Sequence, residues 1–429
     1  MSETLTLEPR TDTVPRTSLP ASWTWYEGLV MTALGRFTHG GLRLVWPDGT
    51  SRHLGDPEMP ATAEIYLRHR EDFFQRCALF GNVGLGEGYV EGDWETPDIA
   101  AVMGWFVENL HRNPATTGSS QRIPFLNLLR IVNRVQHWLR PNSLKVSRRN
   151  IAEHYDLGND FYSLWLDKTM TYSAARFTYP GQSLEEAQTA KYEALCQKLK
   201  LQPSDHVLEI GCGWGGFSSY AARAYGCRIT AVTISQEQFA YATDRMKREG
   251  LDDRVEIRLQ DYRLVEGQFD KIASIEMLEA VGDAFLETYF AKCATVLKRD
   301  GLIALQMITV PDSHHAQLRK GVDWIQKHIF PGSLLLSVAR VNEAVNRTGN
   351  LFMHELEDLG AGYAQTLALW YDRFQMKLED VRSLGFDDRF IRKWSYYLKY
   401  CEAAFDHRHI SVVQVCYTRP NNATLRENW

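Results

Sequence analysis

No stretch of the 429-residue chain approaches the roughly 18 consecutive apolar residues that a membrane-spanning helix needs. Cysteine is sparse: seven residues, at 77, 196, 212, 227, 293, 401 and 416, with no Cys-x-x-Cys pair. An odd, scattered set excludes a disulfide framework and a zinc knuckle, and predicts a reducing, cytoplasmic setting. A surplus of positive charge is missing too. Lys and Arg number 48 against 53 Asp and Glu, a net charge of -5, which speaks against nucleic acid as a partner. The first 22 residues carry Glu, Asp, Arg and Pro without an apolar core. They read as a disordered tail, not a secretory signal.

One deficit is local. Between Leu110 and Ala152 there is no Asp or Glu, while Arg112, Arg122, Arg130, Arg134, Arg140, Lys145, Arg148 and Arg149 accumulate. Within that segment Phe125, Leu128, Leu129, Val132, Val135 and Leu139 recur at three- and four-residue intervals. This spacing predicts an amphipathic helix with a cationic flank. Such a helix either links two domains or meets an anionic membrane surface.

What is present falls into blocks. Residues 23–110 read as a small α+β domain, with a hairpin strand Leu42–Trp46, a turn at Pro47-Asp48-Gly49, and helices around Ala63–Phe80 and Ile99–Leu110. Residues 111–150 form the basic linker. From about 185, strands and helices alternate, which predicts a doubly wound α/β domain over 151–429. A helical insertion is expected over about 312–405, and Ile410–Tyr417 is expected as a last strand at the sheet edge.

The chemistry is concentrated after strand His206–Ile210. Gly211, Gly213 and Gly215 let the backbone approach a ligand beside a helix N-terminus. Glu209 precedes them, and a carboxylate there suits a cationic amino group better than a pyrophosphate. That favours S-adenosylmethionine over NAD. The acidic residue that a dinucleotide fold places about 20 positions on is absent. Thr233 and Gln238 stand there instead as neutral partners for the ribose or the methionyl part. Gln260, Asp261 and Tyr262 at the third strand end suit the adenine. The adjacent His314 and His315 point apart and find no third ligand, so no metal is expected.

The chain resembles the cyclopropane fatty acid synthases and the mycolic acid methyltransferases. The resemblance runs from about Phe73 to Tyr417 and rests on His154–Asp160, Met170–Ser173, Leu208–Gly216, Val232–Gln238, Gln260–Arg263, Ser274–Gly282, Ile329–Gly332 and Tyr396–Leu398, with Gly84–Tyr89 and Trp94-Glu95 in the first domain. It implies a Rossmann-like class I methyltransferase sheet of seven strands with a helical cap, Tyr172 and Ser173 beside the cofactor, and His154 and Tyr155 in a lid. It also implies a phospholipid-embedded cis-alkene as methyl acceptor, a peripheral enzyme at the inner face of the membrane, and a homodimer.

In that family a bound bicarbonate is thought to take the proton that closes the ring. Two of its ligand positions carry over as Glu279 and Tyr363. The Cys position is Ala174 and the His position is Gln306. The anion site therefore survives in altered form, or a carboxylate such as Glu276 serves as base. On a helical segment Glu276 and Glu279 would share a face. The cation has three exits: a cyclopropane, a methylene branch or a methylated alkene. Tyr172, Trp214, Phe330, Tyr363, Trp370, Tyr371 and Phe374 are candidate stabilisers of that cation. Two alternatives remain, an N-methyltransferase for a small amine and a non-catalytic lipid-binding subunit. Reversing Arg130, Arg134 and Arg140 to Glu is expected to abolish co-sedimentation with anionic vesicles; unchanged sedimentation would remove this segment as the docking surface.

Overall fold

A turn begins the first sheet. Asp48 Oδ1 accepts the backbone N–H of Thr50 (2.9 Å) and Gly49 takes φ 84°, which folds β1 (Gly41–Val45) back on β2 (Ser51–Gly55). The computed structural model describes residues 23–112, 157–319 and 321–425. The tail over 1–22, the amphipathic pattern of 125–139, His154 and Tyr155 lie outside the described residues.

β3 (Ala63–Leu67) pairs in parallel with β1, and β4 (Trp94–Glu95) closes the order β2-β1-β3-β4. The helix expected over Ala63–Phe80 is therefore wrong in its first part. Ala63, Ile65 and Leu67 alternate inward as a strand does, and the helix starts only at Arg70. Helices Trp23–Leu34, Asn82–Glu91 and Ile99–Arg112 complete this part.

The larger sheet has seven strands in the order β10-β11-β9-β8-β5-β6-β7. Its strands are β5 (His206–Ile210), β6 (Arg228–Thr233), β7 (Val255–Leu259), β8 (Phe269–Ile275), β9 (Leu297–Thr309), β10 (Phe352–Asp358) and β11 (Ser411–Thr418). β5 to β9 run parallel, and β11 runs antiparallel between β9 and β10. Two sequence expectations are corrected here. The insertion over 312–405 is not all helical, because β10 lies within it. The strand after Ile410 is consequently interior, one place in from the edge. β10 escapes detection because most of its side chains are exposed on both faces, so it lacks the alternation of a half-buried strand.

The helical cap includes Trp324–His328, Gly360–Met376 and the 19-residue Asp388–Asp406. Asp387 caps the last of these by accepting the N–H of Phe390 (2.8 Å). Its buried face carries Ile391, Trp394, Tyr397 and Leu398, and Tyr396 stacks edge-on against Trp324 at 4.7 Å. The first sheet domain docks on this cap. Glu91 pairs with Arg389 (2.6 Å), Glu87 with Lys327 (2.7 Å), and the Arg392 guanidinium lies 4.3 Å over the Tyr89 ring. One contiguous core runs through both parts, from Leu42 and Phe73 to Trp370 and Phe405.

Gly86 sits at that joint. A Cβ there would stand 2.5 Å from Trp324 Cδ1 and 2.8 Å from Tyr396 Cε1, whereas one on Gly28 would meet nothing within 4 Å. Alanine gains about 1 kcal/mol of helix propensity at either position. Overpacking at Gly86 costs about 1–3 kcal/mol, so there the sign reverses. In thermal unfolding, Gly28→Ala is expected to raise the melting temperature and Gly86→Ala to lower it; equal shifts would show that the joint yields freely.

Candidate active site

β5 delivers Glu209 to the bottom of a cavity of about 960 Å³ and then breaks into glycines. Gly211, Gly213 and Gly215 take φ 83°, 52° and 81°, a region that costs other residues strain. The N–H groups of Gly211 and Cys212 both donate to Val232 O (2.9 and 3.2 Å), which lashes the loop to the end of β6. Gly211 and Gly213 line the cavity. Gly215 does not; it packs against Met246 and Ala242 as the N-cap of helix Gly216–Tyr225. A Cβ on Gly211 would fall 2.6 Å from Met277 Cγ, so the loop is shaped for close approach.

The remaining residues expected around the cofactor surround the same end. Tyr172, Ser173, Thr233, Gln238, Gln260, Asp261 and Tyr262 all line the cavity. Thr233 Oγ1 donates to Gln238 Oε1 (2.9 Å), which fixes the amide. Asp261 is held by Arg263 through Nε (2.8 Å) and Nη2 (2.7 Å) and by the Arg263 backbone N–H (2.9 Å). Tyr172 donates to or accepts from Tyr397 Oη at 2.7 Å. Ser173 Oγ accepts from Lys191 Nζ at 2.6 Å.

Glu209 accepts a hydrogen bond from Ser218 Oγ, yet burial pushes its pKa up to about 8. The pocket is therefore short of positive charge beside this carboxyl, which an ammonium would supply. The residues fit S-adenosylmethionine on that ground and on the glycine cradle.

A carboxyl pair, Glu276 and Glu279, lines the same cavity. Glu276 follows β8 and takes φ 47°, so it is not on a helix face shared with Glu279. Glu279 stands instead in the short 3₁₀ turn Leu278–Ala280. The Glu276 backbone N–H donates to Gln306 O (2.7 Å), which pins it beside β9. Three donors converge on its carboxylate. Ala174 N and Gln306 Nε2 reach Oε1 at 2.8 and 2.7 Å, and Tyr363 Oη reaches Oε2 at 2.8 Å.

Gln306 is not in the cavity wall. It stands one layer behind, where Gln414, its register partner on β11, donates to Gln306 Oε1 (3.0 Å) and leaves the NH₂ for Glu276 and Ala174 O. Glu279 Oε1 accepts the N–H of Ile308 (2.5 Å), while Oε2 is buried without a hydrogen-bond partner. Burial, then the charge of Glu276, raises the Glu279 pKa to about 8. Burial also raises Glu276, but there Lys191 and the three donors oppose it.

These positions do not fit a bicarbonate. The Ala174 N–H, the Gln306 amide and the Tyr363 hydroxyl are engaged by Glu276, and the Ile308 N–H is engaged by Glu279. A further anion would lie against Glu276 with little to compensate its desolvation.

Sequence reasoning missed Lys191 and Gln414. Lys191 is fully buried, and burial lowers its pKa to about 7 against the pull of Glu276, Asp167 and Glu209. Nothing in the sequence around it marks it, since a lysine on a helix is ordinarily solvated. Of the aromatic candidates, Tyr172, Trp214, Phe330 and Tyr363 line the cavity, whereas Trp370, Tyr371 and Phe374 do not. The cavity continues past this centre into the first domain, where Val30, Phe37, Leu42, Phe73, Met103 and Phe106 form an apolar wall.

Known proteins resemble this chain in sequence and fold. Residues 142–415 match the family model for mycolic acid cyclopropane synthetase. The tuberculostearic acid methyltransferase of Mycobacterium tuberculosis is 38% identical over 397 residues, 88% of this chain and 87% of that protein. The cyclopropane-fatty-acyl-phospholipid synthase of Escherichia coli K12 is 38% identical over 371 residues, 85% of this chain and 90% of that protein. A solved mycolic acid cyclopropane synthase, CmaA1 complexed with SAH and CTAB, superposes with a TM-score of 0.59 at 29% identity, covering 63% of this chain and 98% of that one. Match length and identity together place the chain in the mycolic acid cyclopropane synthetase family, and it is an S-adenosylmethionine-dependent methyltransferase.

Proposed function

We propose that this enzyme methylates the cis double bond of an unsaturated acyl chain in a membrane phospholipid. The observation that carries the reading is the continuity of one cavity from the Gly211–Gly213 loop, past Glu276 and Glu279, to the apolar wall of the first domain. S-adenosylmethionine supplies an electrophilic methyl group at the glycine end. The apolar limb takes the hydrocarbon, which has no polar group to satisfy, and the transfer in apolar area favours entry by roughly 0.8 kcal/mol per buried CH₂. Tyr172, Trp214 and Phe330 line the junction, where aromatic rings suit a cationic centre on the acyl chain. A relative named for a fatty-acyl-phospholipid and one named for tuberculostearic acid support the acceptor class.

In the same reading the enzyme docks peripherally through the basic segment onto the anionic inner face of the membrane, and works as a homodimer. No helix among the described residues is long and apolar enough to cross a membrane. Within the site, Glu209 holds the methionyl ammonium, Thr233 and Gln238 hold the ribose or methionyl part, and Gln260, Asp261 and Tyr262 hold the adenine.

The acceptor is tested by incubating the protein with labelled methyl donor and vesicles of cis-monounsaturated phospholipid. Label in the lipid, with one carbon added to the acyl chain, is expected. Label only in an added amine, or binding without transfer, would support the alternatives instead. Proton NMR of the released chains then separates ring protons from olefinic or exocyclic methylene signals.

The cofactor role of Glu209 has its own test. With its pKa near 8 in the free enzyme, Glu209 is largely protonated at pH 7, and a cationic ligand favours the ionised form. Binding is therefore expected to release up to one proton and to tighten as pH rises toward 8. Calorimetry in two buffers of different ionisation enthalpy reads this directly. Glu209→Gln should abolish the release and weaken binding by about tenfold or more, equivalent to about 1.4 kcal/mol; unchanged affinity would separate Glu209 from the ammonium.

A further inference from the structure

We infer that the Glu276 carboxylate fills the slot that a bicarbonate would occupy and is itself the base that takes the proton from the methylated acyl chain. The inference rests on the acyl-methylation reading for its chemistry and on the hydrogen-bond geometry for its place. An anion in such a site needs converging donors, and here the backbone N–H of Ala174, the Gln306 amide and the Tyr363 hydroxyl converge on one carboxylate at 2.7–2.8 Å. Each donor has its direction fixed from behind. Gln414 orients the Gln306 amide. The next N–H along, that of Ala175, donates to Thr366 Oγ1 (3.0 Å), one turn from Tyr363 on the same helix. Gly362 allows that helix to come close, since a Cβ there would stand 2.8 Å from Ala175 O.

Two neighbouring carboxyls divide the work. Glu279 has one N–H donor and an unpartnered Oε2, and it lies beside the Glu276 charge. Glu276 has three donors and the Lys191 ammonium nearby. The proton of the pair therefore resides on Glu279 and the charge on Glu276, as environments that push two acids apart dictate. The electron count closes without another reactant. The alkene π pair forms the new C–C bond to the methyl carbon, the S–CH₃ bond breaks onto sulfur to leave a neutral thioether, and a cation remains on the second alkene carbon. Glu276 takes one proton, and the C–H pair it releases closes the ring or forms a double bond. The protonated Glu276 returns its proton to solvent after product leaves.

The test uses the full chain and bicarbonate as the probe. Glu276→Gln keeps the volume and removes the base; Glu276→Gly empties the slot at a φ that glycine tolerates. Wild-type enzyme with S-adenosylhomocysteine is expected not to bind ¹³C-bicarbonate by NMR, and its turnover should change less than about twofold when bicarbonate is removed. Glu276→Gln should lose turnover by about a hundredfold or more while keeping S-adenosylhomocysteine affinity. Glu276→Gly should bind ¹³C-bicarbonate and regain at least tenfold in turnover when it is added. A wild-type enzyme that binds bicarbonate, or stalls without it, overturns the inference, as does a Glu276→Gln enzyme within a few-fold of wild type. Absence of labelled lipid from the wild type strikes down the acyl-methylation reading and the base role with it; the bicarbonate-binding arm still decides, without turnover, which group fills the slot.

Discussion

A single hydrogen-bonded chain ties the catalytic half of the molecule together. It runs from Gln414 on β11 through Gln306 on β9 to Glu276 after β8, and from there to the Ala174 backbone and to Tyr363 on the cap. Every link crosses between elements distant in sequence; Gln414, Gln306 and Tyr363 are buried and Glu276 is half-buried at the cavity wall. An unpaired polar group there costs about 1–3 kcal/mol, and more if charged. Removing any member leaves another unsatisfied, so the members must be present together. This constraint holds the cap helix Gly360–Met376 against the Ala174–Ala175 backbone, and so fixes the width of the cavity where chemistry occurs.

The same region buries an uncommon amount of charge. Glu209, Glu276 and Glu279 have the buried Lys191 among them, whose own pKa burial has drawn down to about 7, and Arg245 also acts on Glu209. Buried charges are costly even when paired, so their retention points to use rather than to stability. In the methyl-transfer reading the arrangement has a clear purpose. A sulfonium and an ammonium arrive with the cofactor, and a carbocation follows on the substrate. The donor's own α-carboxylate offsets one of these charges, so donor and carbocation each bring one net positive charge to the carboxyl cluster.

Much of the fold was legible because local chemistry decided it. The passage from β5 through Gly211, Gly213 and Gly215 into helix Gly216–Tyr225 follows from apolar continuity and from glycines where φ must be positive. The strand β3 was mistaken for the start of a helix because five residues of alternation merge with the helical pattern after Arg70. Chemistry that depends on tertiary placement was less legible. Gln306 was expected at the cavity, but its register match with Gln414 turns it toward β11 as a positioning residue. No pattern in the chain announces that pairing. Lys191 is invisible for the same reason: only packing of its helix against β9 and the bond to Ser173 Oγ make an ordinary helix lysine an interior cation.

The first domain, finally, has a reason to be docked rather than tethered. A carbocation formed next to bulk water is trapped as an alcohol, since a water lone pair adds to it and then loses a proton. The product depends on the base reaching the cation first. The joint at Gly86, Trp324 and Tyr396 is packed so closely that an added Cβ would clash, and Tyr172 and Phe330 line the cavity at the junction. An apolar limb and a fixed carboxylate are therefore two parts of one requirement. Burial raises the electrostatic interaction between Glu276 and the cation while it keeps competing nucleophiles out. In the acyl-methylation reading, the first domain thus acts on product identity, through the water it excludes, without contributing a reacting group.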